Sequence, residues 1–168
     1  NDSLGYYDKI LSIDENNSEA LYKKGLALKK ISKHELAIHN FEKLLEINPK
    51  HINAIYQKGC SLSNLEQYDK AISLFDEAIE IDLDYLDSFL QKGLALTKKG
   101  EYNESLSCYE QVLQKDYKNL QAICYKANTM RELGQFNEAL NLYQKGLEIS
   151  PSHKDLLLNK GRTFSLLG

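Results

Sequence analysis

The side chains able to act on a substrate or to hold a metal are few, and they are badly placed for either task. Cys60, Cys108 and Cys124 lack the close spacing of a zinc site, and His34 and His39 are five residues apart, off the shared helical face that paired imidazole ligands need. Neither a Gly-rich phosphate loop, nor a nucleophile elbow, nor an acid pair in an enclosed setting can be read from the chain. What does recur is a Lys-Gly dipeptide. Gly25, Gly59, Gly93 and Gly161 fall on one 34-residue interval, with Ala127 in the remaining slot, and each is preceded by Lys24, Lys58, Lys92, Lys160 or Lys126. Five lysines in register could form a basic ladder for an anionic partner. A residue fixed in every unit is better explained by architecture, its aliphatic stem lying along the adjoining helix and its ammonium reaching water or an acid. These residues lead us to expect a protein that is not an enzyme and uses no metal or cofactor.

The elements that carry these residues follow from the same interval. Ala37, Ala71, Ser105 and Ala139 repeat at 34 residues, and so do Phe41, Phe75, Tyr109 and Tyr143. Three columns on one period mark a solenoid, in which each unit buries its apolar face against the next. The chain divides into 1–17, the second helix of a truncated unit, four full units at 18–51, 52–85, 86–119 and 120–153, and 154–168, the first helix of another truncated unit. Within a unit, Ile55, Gly59, Leu62 and Leu65 stack on one helical stripe, and Tyr68, Ala71, Phe75 and Ala78 on a second. Connections of two or three residues make consecutive helices antiparallel, with small residues such as Gly59 and Ala71 where the axes approach. Gly100 and Gly134 can close first helices in the left-handed conformation, and Pro49 and Pro151 follow second helices. The expected fold is all-α, with about ten helices and no second domain.

Composition narrows the partners. A net charge of −3 offers no general attraction to a phosphate backbone, so nucleic acid is not expected. No stretch approaches the ~20 consecutive apolar residues that span a bilayer, which argues against a membrane partner. Three cysteines inside helical patterns do not make a disulfide framework, which points to a reducing, cytoplasmic setting. The chain begins at Asn1 and its one methionine is Met130, so the natural start is expected to lie further upstream.

The columns resemble the tetratricopeptide repeat: a bulky apolar residue four before the Gly, the Gly, an aromatic residue or His opening the second helix (His34, Tyr68, Tyr102, Phe136), then Ala, then Phe or Tyr, then Pro. Departures are Ala127 for Gly, Ser105 for Ala, Gly146 and Leu44 where Ala is usual, and Leu83 and Tyr117 for Pro. The resemblance covers essentially the whole chain. It implies a right-handed α-solenoid of antiparallel helix hairpins, a superhelix whose first helices line a concave groove, and a role as a non-catalytic scaffold for a peptide or partner domain. The alternative it leaves is an arm that recruits substrates to a catalytic domain elsewhere on a longer chain. One specialised version of the family grips the C-terminal carboxylate of heat-shock chaperones, with Lys three before the Gly and Asn one after it. Those slots here hold Tyr22 and Leu26, Tyr56 and Cys60, and Leu90 and Leu94, so this clamp is absent from three windows. Only Asn128 and Asn159 keep a trace of it, with Cys124 replacing the Lys.

Offsets from the Gly select the groove residues: Tyr22, Lys23, Leu26 and Lys30 in the first full unit, and Tyr56, Gln57 and Cys60 in the second. Leu90, Gln91 and Leu94 follow in the third, Tyr125, Asn128 and Arg131 in the fourth, and Asn159 and Arg162 in the last. Across all the inward offsets, six basic residues (Lys23, Lys29, Lys30, Lys98, Arg131, Arg162) face four acids (Glu19, Asp87, Glu132, Asp155). Amide side chains that pair with a peptide backbone and tyrosines that stack at low entropic cost predict an extended or helical peptide partner of some acidic character. Leu157, Phe164 and Leu167 close the chain with apolar residues where a polar cap is usual, so they are expected to pack against a missing unit, a symmetry mate or a second copy, the last two being end-to-end self-association through the terminal helices.

Overall fold

The computed structural model describes residues 2–167, and Asn1 and Gly168, the ends of the expected array, lie outside them. Ten α-helices and no strand occur among these residues: α1 (Asp2–Ile13), α2 (Ser18–Lys30), α3 (His34–Ile47), α4 (Ile52–Asn64), α5 (Tyr68–Ile81), α6 (Leu86–Lys99), α7 (Tyr102–Lys115), α8 (Leu120–Glu132), α9 (Phe136–Ile149) and α10 (Lys154–Leu167). From α2 onward, every first helix begins 34 residues after the previous one. The fold is an all-α solenoid in class, and it divides into two compact units, Asn1–Ser88 and Phe89–Gly168.

Helix ends are set by local chemistry that recurs with the repeat. The residue before α2, α4 and α8 caps the helix through its side chain. Asn17 and Asn119 accept hydrogen bonds through their side-chain oxygens from the amides of Ala20 and Ala122, both at 3.0 Å, and His51 Nδ1 accepts from the Ala54 amide at 3.1 Å. Asp82 and Asp116 brace the turn ahead of the next helix by accepting from the amides of Asp84 and Lys118. First helices end on a left-handed residue, Gly100 (φ 84) and Gly134 (φ 75) as the sequence implies, but also Ser32 (φ 58) and Glu66 (φ 59). The next amide then reaches back to the first helix, as Gln67 N donates to the Leu62 carbonyl at 3.0 Å and Gln135 N to that of Met130 at 2.9 Å. A side chain at such a φ costs about 1–2 kcal/mol. Glu66→Gly is therefore expected to raise the stability of the first unit by about 1 kcal/mol in urea unfolding.

Packing within a hairpin centres on the Gly and aromatic columns. A Cβ added to Gly25 would stand 2.5 Å from the Phe41 ring, one on Gly59 2.7 Å from Phe75, and one on Gly93 2.6 Å from Tyr109. The space each glycine leaves is thus filled by the ring 16 residues later, in addition to the small-residue approach expected at Ala71. Phe41, Phe75, Tyr109 and Tyr143 are all fully buried. In the first unit this core includes Leu21, Leu28, Ala37, Phe41, Leu44 and Ala54, and in the second Ile123, Cys124, Ala127, Ala139, Tyr143 and Leu156.

The Lys column bridges successive hairpins. Lys24 pairs with Asp8 at 2.7 Å and Lys58 with Glu42 at 3.0 Å, Lys126 pairs with Glu110, and Lys160 donates to Gln144 Oε1 at 2.6 Å. Every partner lies 16 residues upstream, on the preceding second helix. The carboxylates are about half exposed, so each pair contributes only ~0.2–1 kcal/mol and serves mainly to set register.

Candidate functional site

The predicted residues all lie on the first helices, α2, α4, α6, α8 and α10, and range from the exposed Lys23 to the buried Leu90. In the first unit, Tyr22 of α2 and Tyr56 of α4 occupy equivalent positions and are held by the same pair of neighbours. Each ring tilts against the buried aromatic of its own hairpin, Tyr22 at 6.1 Å from Phe41 and Tyr56 at 6.0 Å from Phe75 between centroids. Each also meets the residue that precedes the next first helix, Tyr22 with His51 at 5.3 Å and Tyr56 with Tyr85, edge to face, at 5.3 Å. Tyr85 donates through its hydroxyl to Asn53 Oδ1 at 2.9 Å, and Lys29 donates to Gln57 Oε1 at 2.5 Å across α2 and α4.

Around this aromatic and amide set, Leu26 and Gln57 are half-buried, while Lys23 and Lys30 are exposed. Cys60 is buried beneath Tyr56, only 7% exposed. Burial pushes the Cys60 thiol up from its ordinary pKa, against the pull of the nearby Lys29 ammonium. Tyr56 is raised too, by burial first and then by Cys60, and Tyr85 is pushed up to about 12 by burial and by the Asp87 carboxylate. All three stay neutral at physiological pH, which suits hydrogen bonding and stacking better than nucleophilic attack.

In the second unit the asparagines converge. Asn128 of α8 and Asn159 of α10 both direct their side-chain amides to Cys124 Sγ, at 3.8 and 3.6 Å, and Tyr143 donates through its hydroxyl to Asn128 Oδ1 at 2.7 Å. The Cys124 thiol is raised by burial, an effect that the Asn159 contact partly offsets. Tyr125 accepts from Gln121 at 2.9 Å and lies 5.8 Å from the Tyr109 ring, while Arg131 bonds its neighbour Glu132 at 3.0 Å. Gln91 and Leu94 are half-buried and Arg162 is exposed. Leu90 is 3% exposed and presents almost no surface of its own.

Two residues beside the first-unit tyrosines escape an offset window that opens six residues before the Gly. His51 and Tyr85 stand eight residues before Gly59 and Gly93, yet they back the half-buried Tyr22 and Tyr56. The acid partners of the Lys column, Asp8, Glu42 and Glu110, were legible as a column of their own. Two clefts lie away from the predicted residues. One of about 500 Å³ between α3, α4 and α5 is lined by Ile38, Glu42, Lys58, Leu62 and Leu74, and another of about 510 Å³ by Leu4, Leu11, Leu28 and Leu36, with none of the predicted residues in either. Among the described residues, no group of three or more His, Cys, Asp or Glu gathers in a way that could hold a metal, and no helix is long and apolar enough to cross a membrane.

Comparison with known proteins agrees with this architecture. Residues 1–78 match the family described as anaphase-promoting complex, cyclosome, subunit 3, and residues 86–119 and 121–153 match two families each described as tetratricopeptide repeat. No curated protein matches the chain. Solved structures similar to it include YrrB, described as a TPR protein with an unusual peptide-binding site, at 26% identity and a TM-score of 0.79, covering 94% of this chain and 81% of that one. MamA is similar at 24% identity and a TM-score of 0.81, over 88% and 86% of the two chains. TTC0263, a thermophilic TPR protein of Thermus thermophilus, is similar at 21% identity and a TM-score of 0.80, over 96% and 88%.

Proposed function

Because the chain belongs to the tetratricopeptide repeat family, we propose that it is a non-catalytic interaction scaffold that binds a peptide segment, or a partner domain, along its first-helix faces. The observation that carries this reading is the ordered aromatic and amide surface of the first unit, where Tyr22, Tyr56 and Gln57 are fixed by neighbours yet keep accessible edges. Such a surface is pre-organised, so a peptide loses little entropy in ordering it. The peptide-binding site named for YrrB, and the match of residues 1–78 to a subunit of a multiprotein complex, support the same reading.

The partner is acidic in part. Lys23, Lys29 and Lys30 gather on α2 at one edge of the aromatic set, within a chain whose net charge is −3. Exposed charges steer encounter and weaken with salt. Reversing both exposed lysines, as Lys23→Glu with Lys30→Glu, is expected to weaken binding of Asp/Glu-rich peptides about tenfold and to remove its salt dependence, with the melting temperature unchanged. Fluorescence anisotropy with short peptides graded in acidic content measures this. Equal affinity before and after the reversal would discard an acidic partner while leaving peptide binding itself to be judged at Tyr56.

A further inference from the structure

We propose that the cleft between α3, α4 and α5 is a second docking site, which takes a short amphipathic helix of a protein partner, apolar on the face laid into the cleft and flanked by Lys or Arg on one side and Asp or Glu on the other. This does not rest on the reading of the tyrosine face, since none of the residues concerned belongs to it. α3 and α5 each pack on α4, and the cleft of about 500 Å³ lies between them. Its apolar lining comes from Ile38 of α3, Leu62 of α4, Leu65 just past the end of α4, and Leu74 of α5. Leu62 is 7% exposed and forms the floor, while Ile38, Leu65 and Leu74 are half-buried and keep surface open to the cleft.

The spacing of the lining suits a helix. α3 contributes Glu35, Ile38 and Glu42, and α4 contributes Lys58 and Leu62, followed by Leu65, each set stepping by three or four residues along one face and spanning two turns, or ~10 Å. A trough of that length accepts apolar anchors at i, i+3 or i+4, and i+7 of a docked helix. An extended segment would need partners for its own backbone groups, and walls made of helices, whose backbone groups are already paired, offer none.

Charge is sorted between the two walls. Glu35 and Glu42 stand two turns apart on α3, with Lys58 paired to Glu42 at 3.0 Å, and the α5 wall carries Lys70, which donates to Gln67 Oε1 at 3.0 Å. A helix with Lys or Arg two turns apart on its α3 side and an acid on its α5 side meets each wall with the opposite charge. Turned end for end, the same helix would bring like charges together, so the walls also fix its direction.

Fluorescence anisotropy tests this with a short peptide cross-linked as a helix, bearing Leu at i, i+3 and i+7, two Lys two turns apart on one flank and a Glu on the other. The peptide is expected to bind, and a scrambled peptide of the same composition is not. Ser73→Arg sets a long side chain at an exposed position of the α5 wall, and Ile38→Glu charges the lining. Each is expected to weaken binding about tenfold or more, with helix content and melting temperature close to the parent's, whereas Tyr56→Ala should leave this peptide's affinity unchanged. Glu35→Lys is expected to weaken binding about threefold. Of the two peptides with a single Lys replaced by Glu, one is expected to bind the Glu35→Lys variant more tightly than it binds the parent. No binding, or equal binding of the scrambled peptide, would overturn the proposal, and so would loss on Tyr56→Ala, which would give the peptide to the tyrosine face. Binding that survives both Ser73→Arg and Ile38→Glu would overturn it in favour of the neighbouring cleft, which sets Asp8 and Glu15 against His39 and Lys43. A parent chain that self-associates, and ceases to on Ser73→Arg, would assign the cleft to a second copy instead.

Discussion

Phe75→Ala is expected to destabilise the first unit by about 3–5 kcal/mol, the range for truncating a fully buried aromatic ring. The ring is fully buried, fills the space left by Gly59 and supports Tyr56 from below, so its loss opens a cavity bounded by two helices whose backbones are held by their own hydrogen bonds. Collapse into that cavity would require α4 and α5 to approach further, and the residues flanking the ring, Ala71 and Ala78, are too small to fill it. Because a repeat array need not unfold as one transition, the measurement is urea unfolding read from probes in each unit. The second unit, with Tyr109 and Tyr143 in the same column, is expected to shift little.

Tyr56→Ala is expected to weaken peptide binding by about thirtyfold, or ~2 kcal/mol, the usual size of an aromatic hot spot. The ring is half-buried between Phe75 and Tyr85, so it enters binding already oriented, and its removal takes away both a stacking face and the support for Tyr85. Tyr56→Phe keeps the ring and is expected to bind within about threefold of the parent chain. The pair of variants separates loss of the surface from loss of the fold: both should melt cooperatively, with only the alanine variant losing affinity. If the two bind alike, the aromatic contact plays no part in recognition.

The repeat columns made the helices, their pairing and their order legible from sequence, because a 34-residue interval shared by Gly, Ala and aromatic positions leaves few other arrangements. The end of each first helix was legible, but its left-handed closure only where glycine announced it. Ser32 and Glu66 take the same left-handed conformation without a glycine to mark them, the first-helix termini being fixed by the hairpin that follows and not by local preference. The functional face was legible in outline and blurred in depth. Offsets from the Gly place Lys23 and Lys30 at the surface, but they cannot tell a half-buried Tyr56 from a buried Leu90, since that difference depends on which neighbouring helix leans over each position. His51 and Tyr85 show the same limit: they precede their helices as capping-position residues, and only packing turns them toward the tyrosines.

The claim that function resides in the first-helix faces is tested most directly by titrating the isotopically labelled chain with an Asp/Glu-rich peptide selected from a displayed library and following amide and side-chain NMR shifts. The account predicts that the shifts concentrate on Tyr22, Tyr56 and Gln57 in the first unit, with Tyr125, Asn128 and Asn159 responding if the peptide reaches the second. Shifts confined to the second helices α3, α5, α7 and α9, with the first-helix tyrosines and amides unmoved, would contradict it.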